Sequence, residues 1–337
     1  MKKFINDSQT IVGDMIDGFV RAYGERVRKL PGSSVIVRTR PKTVGRVGLA
    51  IGNGSGHEPA CIGFVGENML DANAYGNIFA APGPDTIRAA IAASDRGAGV
   101  VLLVSNHEGD VINARMAIEM ARDDGITVEE VILYDDIASA SAERIEERRG
   151  TTGTLFVYKM AGVYAEISSD VSRVADLARR IRDRTRTLTV ASTPGVSPLT
   201  GSEMFRIADD ELQLGMGVHG EAARGTISHT SARDIARLMV ERLVADGGYE
   251  RGDELGVIVN GCGSTTQMEL LIFFGAVAAA LGAFGITTYK PLIGSFVTTQ
   301  EMGGIALSLC KFDDRCKSLW RASTGAIAFS QYDETTS

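Results

Sequence analysis

The sequence predicts an α/β protein of two layered domains, and three observations carry that prediction. Apolar strand-like runs alternate with helical stretches along the chain, and Gly-rich turns separate many of them. The chain has 337 residues, more than one core of ordinary size holds. A first helix is expected over residues 7–23. Strands follow at 34–37, 47–51, 99–104 and 130–133, with helices at 85–94 and 110–124. Residues 173–184 read as an amphipathic helix rich in Arg and Asp. A second series has strands at 188–191, 212–215, 254–259 and 305–309, with helices at 231–245 and 266–281. Thr193-Pro194-Gly195-Val196-Ser197-Pro198 holds two of the eight prolines and reads as a loop just inside that series. The boundary is therefore expected near residue 186, giving domains 1–186 and 187–337, each a mixed or mostly parallel sheet flanked by helices.

Composition excludes several classes of function. Hydrophobic residues at 44% and charged residues at 23% describe a globular chain, with only the tail after Ser330 expected to stay unpacked. The net charge of −7, with no basic stripe, argues against nucleic acid. Asn6-Asp7 interrupts any apolar run after Met1-Lys2-Lys3, so no signal peptide is expected and the cytoplasm is the expected location. The longest apolar stretch, 270–284, is shorter than the roughly 20 residues a bilayer span needs, and its Ala and Gly content predicts a buried core helix. Cys61, Cys262, Cys310 and Cys316 show no CxxC pair and no metal-ligand spacing. Reduced, mostly buried thiols follow, with no metal site.

Three glycine-framed clusters hold the candidate chemistry. Gly52-Asn53-Gly54-Ser55-Gly56-His57-Glu58-Pro59 follows an apolar strand. Its glycines permit close backbone approach, and Pro59 disfavours helix at Glu58. The spacing is not GxGxxG and lacks the Lys-Ser/Thr of a P-loop, so nucleotide binding is not indicated. His57 is either a structural histidine or a site residue at a strand end. Ser105-Asn106-His107-Glu108-Gly109-Asp110 also follows a strand. Asp110 reads either as a helix N-cap or as a carboxylate placed where open α/β sheets bind ligands, able there to take a proton from a hydroxyl. His107 is expected to pair with Glu108 in solvent. Gly215-Met216-Gly217-Val218-His219-Gly220-Glu221 sets a histidine among small residues. Its imidazole is a competent nucleophile toward a carbonyl carbon, or else a turn histidine held by Glu221. His229, in a Ser/Thr-rich stretch, shows nothing comparable. Sequence chemistry alone reaches a polar ligand site built from strand-end loops.

The strings GNGSGHEP, NHEGD and GMGVHGE, in this order and separation, resemble the substrate-binding subunit of the dihydroxyacetone kinases. The resemblance also takes in Lys2-Lys3-Phe4-Ile5-Asn6-Asp7, Phe79-Ala80-Ala81-Pro82, Arg148-Arg149-Gly150 and Ala208-Asp209-Asp210-Glu211. It implies two α/β domains, a homodimer, and a short-chain hydroxyketone bound through a histidine nitrogen as a hemiaminal. His219 matches that histidine. His57 and Asp110 match the pair assigned to the hydroxyl that accepts the phosphoryl group. Gly54, Ser55, Gly56, Ser105 and Gly109 fall in the matching substrate-lining stretches. No cofactor is expected on this chain; ATP, or a phosphorylated carrier protein, and magnesium are expected on a helical partner subunit.

The sequence departs from the pattern at four places. Ser105 stands where many relatives carry a lysine, and His107-Glu108 replaces less charged residues. Asn260-Gly261-Cys262-Gly263 replaces a string closer to Asn-Asn-Leu-Gly, and residues 246–254 are short where some relatives insert a hairpin. Because relatives also act on tetruloses such as erythrulose, or on apulose, these departures leave the ketose open between those and dihydroxyacetone. The alternative class is a non-catalytic, ketone-sensing paralogue that regulates a transcription factor.

Overall fold

The computed structural model describes residues 2–221 and 223–329; the tail after Ser330, expected to stay unpacked, lies outside them. Two compact units form. The first comprises Lys2–Leu133, Val157–Ile181 and residues 318–329; the second comprises Tyr134–Phe156 and Arg182–Lys317. The chain crosses between them after residues 133, 156, 181 and 317, so neither unit is one contiguous stretch; a cut near 186 falls close to the third crossing.

In the first unit the elements run α1 (Ile11–Tyr23), β1 (Val27–Lys29), β2 (Val35–Arg38), β3 (Gly48–Ser55), β4 (Ala72–Ile78), α2 (Pro84–Ser94), β5 (Val100–Ser105), α3 (Glu108–Asp123) and β6 (Val128–Leu133). Helices α4 (Thr154–Ile167) and α5 (Val171–Asp183) follow. The sheet order is β1-β2-β4-β3-β5-β6, with β4, β3, β5 and β6 mutually parallel and β1 and β2 antiparallel. Val35, Val37, Ala50, Ala72, Ala74, Leu102 and Val104 face one side of the sheet, packed with Ile87, Ile91, Ala117 and Ile118 of α2 and α3. The alternate strand residues Ile36, Leu49, Ile51, Asn73, Val101 and Leu103 are also fully buried, so both faces are covered. Strand β4 escapes sequence reading because polar and small residues, Asn73, Gly76 and Asn77, interrupt the apolar run that a doubly covered strand usually shows. Its Ala-Asn-Ala-Tyr-Gly-Asn-Ile has neither the alternation nor the apolar run of a strand. Helix α4 escapes for another reason: Leu155, Phe156, Val157 and Tyr158 are consecutive and all buried, which erases the helical period.

The second unit holds β7 (Thr185–Thr193), β8 (Glu211–Leu214), β9 (Gly225–Ser228), α6 (Ala232–Gly247), β10 (Glu254–Gly261), α7 (Gln267–Ala283), β11 (Thr287–Gly294) and β12 (Gly303–Lys311). Its sheet runs β11-β10-β12-β7-β8-β9, antiparallel except for the β10–β11 pair. Both helices start at side-chain caps. Ser231 accepts the Asp234 N–H at 3.2 Å. Thr266 and Glu269 form a reciprocal capping box.

The expectation that 270–284 is buried core is overturned. Leu270, Phe273, Val277 and Leu281 recur at helical spacing and are buried against β10 and β12 residues such as Val257 and Leu307. That face contributes roughly 1.5–3 kcal/mol per large side chain. The opposite face stays open: Met268 is 68% exposed, Ile272 57% and Leu271 52%. An apolar helix of this kind has no polar side to turn outward, so composition alone misreads it as fully enclosed. All four cysteines are free and buried. Burial pushes the Cys61, Cys262 and Cys310 thiols up to about 12, so none is poised to react at neutral pH.

Candidate functional site

The first unit brings two of the expected residues to neighbouring strand ends. Strands β3 and β5 are parallel neighbours, with Ile51 opposite Leu103, so their carboxyl ends lie side by side. The His57 loop leaves one end and α3 leaves the other, at the place where open α/β sheets put ligands. Gly54 packs against backbone: a Cβ there would come 2.8 Å from the Ala80 nitrogen. Gly56 has φ +103°, and a Cβ would strike the Phe79 ring at 2.7 Å. Glycine is therefore required twice for the loop to fold down on residues 79–80. His57 is buried, its ring centroid 5.1 Å from that of Phe79. Ser55 is fully buried and its hydroxyl donates to the Gly76 carbonyl at 3.0 Å, a structural commitment.

Helix α3 starts two residues earlier than expected. His107 is the N-cap residue without a capping side-chain bond, and Asp110 sits in the first turn. The N-cap reading of Asp110 is thereby corrected; the N-cap position belongs to His107, and the Asp110 carboxylate is buried in the first turn. Ser105 closes β5 and is half-buried, as is His107, while Glu108 and Gly109 are exposed. Asp110 and Glu58 both add to the rise in the Cys61 pKa, after the dominant effect of burial, which places the His57 loop and the head of α3 in one electrostatic neighbourhood. Glu58 accepts the Gly56 N–H at 3.0 Å, and burial raises its own pKa. Tyr75 ties down the following turn, donating to the Ala60 carbonyl and accepting the Ile62 N–H.

His219 belongs to the second unit, in the loop after β8. Its backbone N–H donates to Glu221 Oε2 at 2.8 Å, and its ring Nδ1 lies 2.9 Å from Glu221 Oε1. A carboxylate can only accept, so in the neutral ring this contact assigns the proton to Nδ1 and the lone pair to Nε2. The loop is supported from behind, since Thr299 donates its hydroxyl to the Val218 carbonyl at 2.7 Å. Asn260, in one of the departing strings, accepts the N–H groups of Phe296 and Val297 and so shapes the segment leading to Thr299. Sequence reading missed two further residues. Arg149 lies 3.8 Å from Glu221 and is paired at 2.7 Å with Asp136, whose carboxyl burial raises to about 6 against the pull of Arg149. Arg148-Arg149-Gly150 was visible only as a matching string, with no local sign of what the arginine meets.

A protein-family comparison matches the Dak1 domain over residues 17–328. The dihydroxyacetone-binding subunit DhaK of PTS-dependent dihydroxyacetone kinase 1 from Listeria innocua is 38% identical over 93% of this chain and 95% of its own. L-Erythrulose kinase from Pectobacterium atrosepticum is 32% identical over 98% of this chain, which spans only 56% of that longer protein. Among solved structures, the dihydroxyacetone kinase operon co-activator DhaQ superposes with a TM-score of 0.88 at 32% identity, covering 94% of this chain and 97% of its own. With nearly the whole chain matched by a single domain type and by relatives of the same length, the protein belongs to the Dak1 domain family.

Proposed function

We propose that this chain is the ketose-holding subunit of a dihydroxyacetone-type kinase, with His219 as its covalent anchor. The His219–Glu221 contact is the observation that carries the reading, because it leaves Nε2 as the nucleophilic nitrogen. In the proposed step the Nε2 lone pair forms a bond to the ketone carbon. The C=O π pair moves onto oxygen, which takes a proton from solvent, and the Nδ1 proton passes to Glu221. The product is a neutral hemiaminal. Such a step requires a carbonyl and so rejects glycerol, where hydroxyl contacts alone discriminate by only about 1–3 kcal/mol. It also fixes the terminal hydroxyl, lowering the entropic cost of transfer. His57 and Asp110 then remove the proton from that hydroxyl as a partner subunit, carrying ATP or a phosphorylated carrier together with magnesium, supplies the phosphoryl group. The backbone of Gly54, Ser55 and Gly56, together with Ser105 and Gly109, lines the ketose in this reading, while the Ser55 hydroxyl stays on the Gly76 carbonyl. Intact-protein mass spectrometry after incubation with dihydroxyacetone or erythrulose tests it. The wild type is expected to gain one ketose mass and His219→Ala none; an adduct that persists in His219→Ala sinks the covalent role.

The ketose is proposed to be larger than dihydroxyacetone. Ser105, half-buried at the end of β5, is smaller and less charged than the lysine of many relatives and leaves room for another hydroxymethyl group. A coupled assay that prefers dihydroxyacetone over erythrulose would reject this. The similarity to the co-activator DhaQ keeps a second reading in play, a ketone sensor. Reconstitution with a nucleotide-bearing subunit separates them, since a sensor forms the adduct and transfers nothing.

Among the described residues no helix is long and apolar enough to cross a membrane. We also propose a homodimer that pairs through α6 and α7. Exposed Ile272 of α7 lines a groove together with Arg237 and Glu241 of α6, one turn apart, and Met268 and Leu271 extend the exposed apolar surface of α7. A two-fold axis can set each of these charges against the opposite one of the second copy. Ile272→Asp is expected to convert a dimer to a monomer in size-exclusion chromatography with light scattering; an unchanged mass rejects this face.

A further inference from the structure

We propose that Arg149, anchored by Asp136, is a positioning residue that holds Glu221 against His219; the proposal rests on His219 being the covalent anchor. The guanidinium is fixed on several sides. Its Nε and Nη2 donate to Asp136 Oδ2 at 3.0 and 2.7 Å, and Nη2 also reaches the Gly215 carbonyl at 3.2 Å. Nη1 points the other way and lies 3.8 Å from Glu221 Oε2. The main chain of Arg149 is pinned as well. Its N–H donates to Ser139 Oγ at 2.9 Å, and its carbonyl accepts the N–H groups of Asp135 and Asp136. Asp136 itself has only 3% of its side chain exposed and accepts the Ala138 N–H at 3.0 Å, so the anchor cannot swing away.

The loop that carries His219 is folded onto this pair. A Cβ at Gly217 would come 2.0 Å from Glu221 Oε2 and 2.4 Å from Arg149 Nη1, so any side chain there has to push these two side-chain ends aside. The Glu221 main chain accepts the Gly217 N–H at 3.2 Å, closing the turn. Glu221 is one-third exposed, and an isolated carboxylate there would sample solvent-facing rotamers. The His219 N–H on Oε2 restricts that freedom and Arg149 adds to it: the positive charge favours the rotamer that keeps Oε2 near the guanidinium, which leaves Oε1 on Nδ1. The consequence is chemical. The Nδ1–H tautomer, the form with a lone pair on Nε2, is held in place before the ketone arrives.

The test reads the tautomer directly, in the free protein. Long-range 1H–15N correlation spectra of the His219 ring at pH 8.5 are expected to show Nδ1–H in the wild type. Arg149→Gln is expected to raise the Nε2–H fraction several-fold and to slow adduct formation with dihydroxyacetone by about ten- to a hundredfold. Glu221→Ala should reproduce both changes. Gly217→Ala, which wedges the pair apart without removing either charge, should shift the tautomer in the same direction and serves if Arg149→Gln does not fold. An unchanged tautomer in a folded Arg149→Gln or Gly217→Ala protein overturns the proposal. An adduct in His219→Ala would instead overturn the parent reading, and the ring spectrum of the free protein does not depend on that outcome.

Discussion

Asp110→Asn is expected to lower phosphoryl transfer by about 10²–10⁴-fold while leaving the ketose adduct at wild-type occupancy. The reasoning follows from where α3 begins. Asp110 stands in the first turn and is buried, yet the N-cap position belongs to His107. Asparagine keeps the size of the side chain but loses the negative charge and the ability to take a proton. The His219 loop, held by Glu221 and Thr299, should not change, while a modest loss of fold stability is expected because the helix N-terminus favours a negative charge. The measurement pairs two readouts on the same sample: adduct mass for binding, and ketose phosphate formed with a nucleotide-bearing subunit for transfer. Full transfer activity would remove Asp110 as the base. Loss of the adduct along with the activity would show that it binds substrate instead.

Lys159→Met is expected to stabilise the protein at neutral pH, by an amount approaching about 4 kcal/mol. Lys159 lies on α4 with no exposed surface, and its Nζ has no hydrogen-bond partner among the described residues. Burial pulls its pKa down to about 7, because the ammonium form cannot be solvated there. The sign follows from proton counting. Between the folded value and the ordinary lysine value near 10.4, the unfolded chain binds the proton and the folded chain does not. Unfolding is therefore favoured below this window, and stability rises with pH from about 7 toward about 10. Methionine, of similar length and apolar, removes both the penalty and the slope. Urea midpoints at pH 7 and pH 9.5 check this: the wild type should gain stability between them through this group, and Lys159→Met should not. A methionine variant less stable than wild type at pH 7 would mean that the amine is partnered after all. Stabilisation would show that the lysine is kept for a reason other than folding.

The legibility of this protein in its sequence varied with the physics of each element. Helices α6 and α7 were readable at their starts because Ser231 and Thr266 write a local cap. Strands β5 and β12 were readable as apolar runs. Strand β4 was not, since Asn73, Gly76 and Asn77 break any apolar run, and helix α4 was not, since its consecutive buried residues erase the helical period. The open face of α7 was misread because composition records how apolar a helix is and says nothing of how many sides are covered.

By itself the sequence determined the alternating α/β character, the absence of reactive cysteine spacing, and three glycine-framed loops holding His57, Asp110 and His219. It did so because strand periodicity, turn glycines and caps are local properties. Only the tertiary structure decided that His107 and not Asp110 takes the N-cap position, and that His57 follows the neighbouring strand. It alone showed that His219 has its Nδ1 engaged by Glu221, with Arg149 and Asp136 behind it. Those residues lie up to 85 positions apart, from 136 to 221, and no local rule links them. Close packing does: a loop with no Cβ at Gly217 can lie against an arginine already pinned by a buried aspartate.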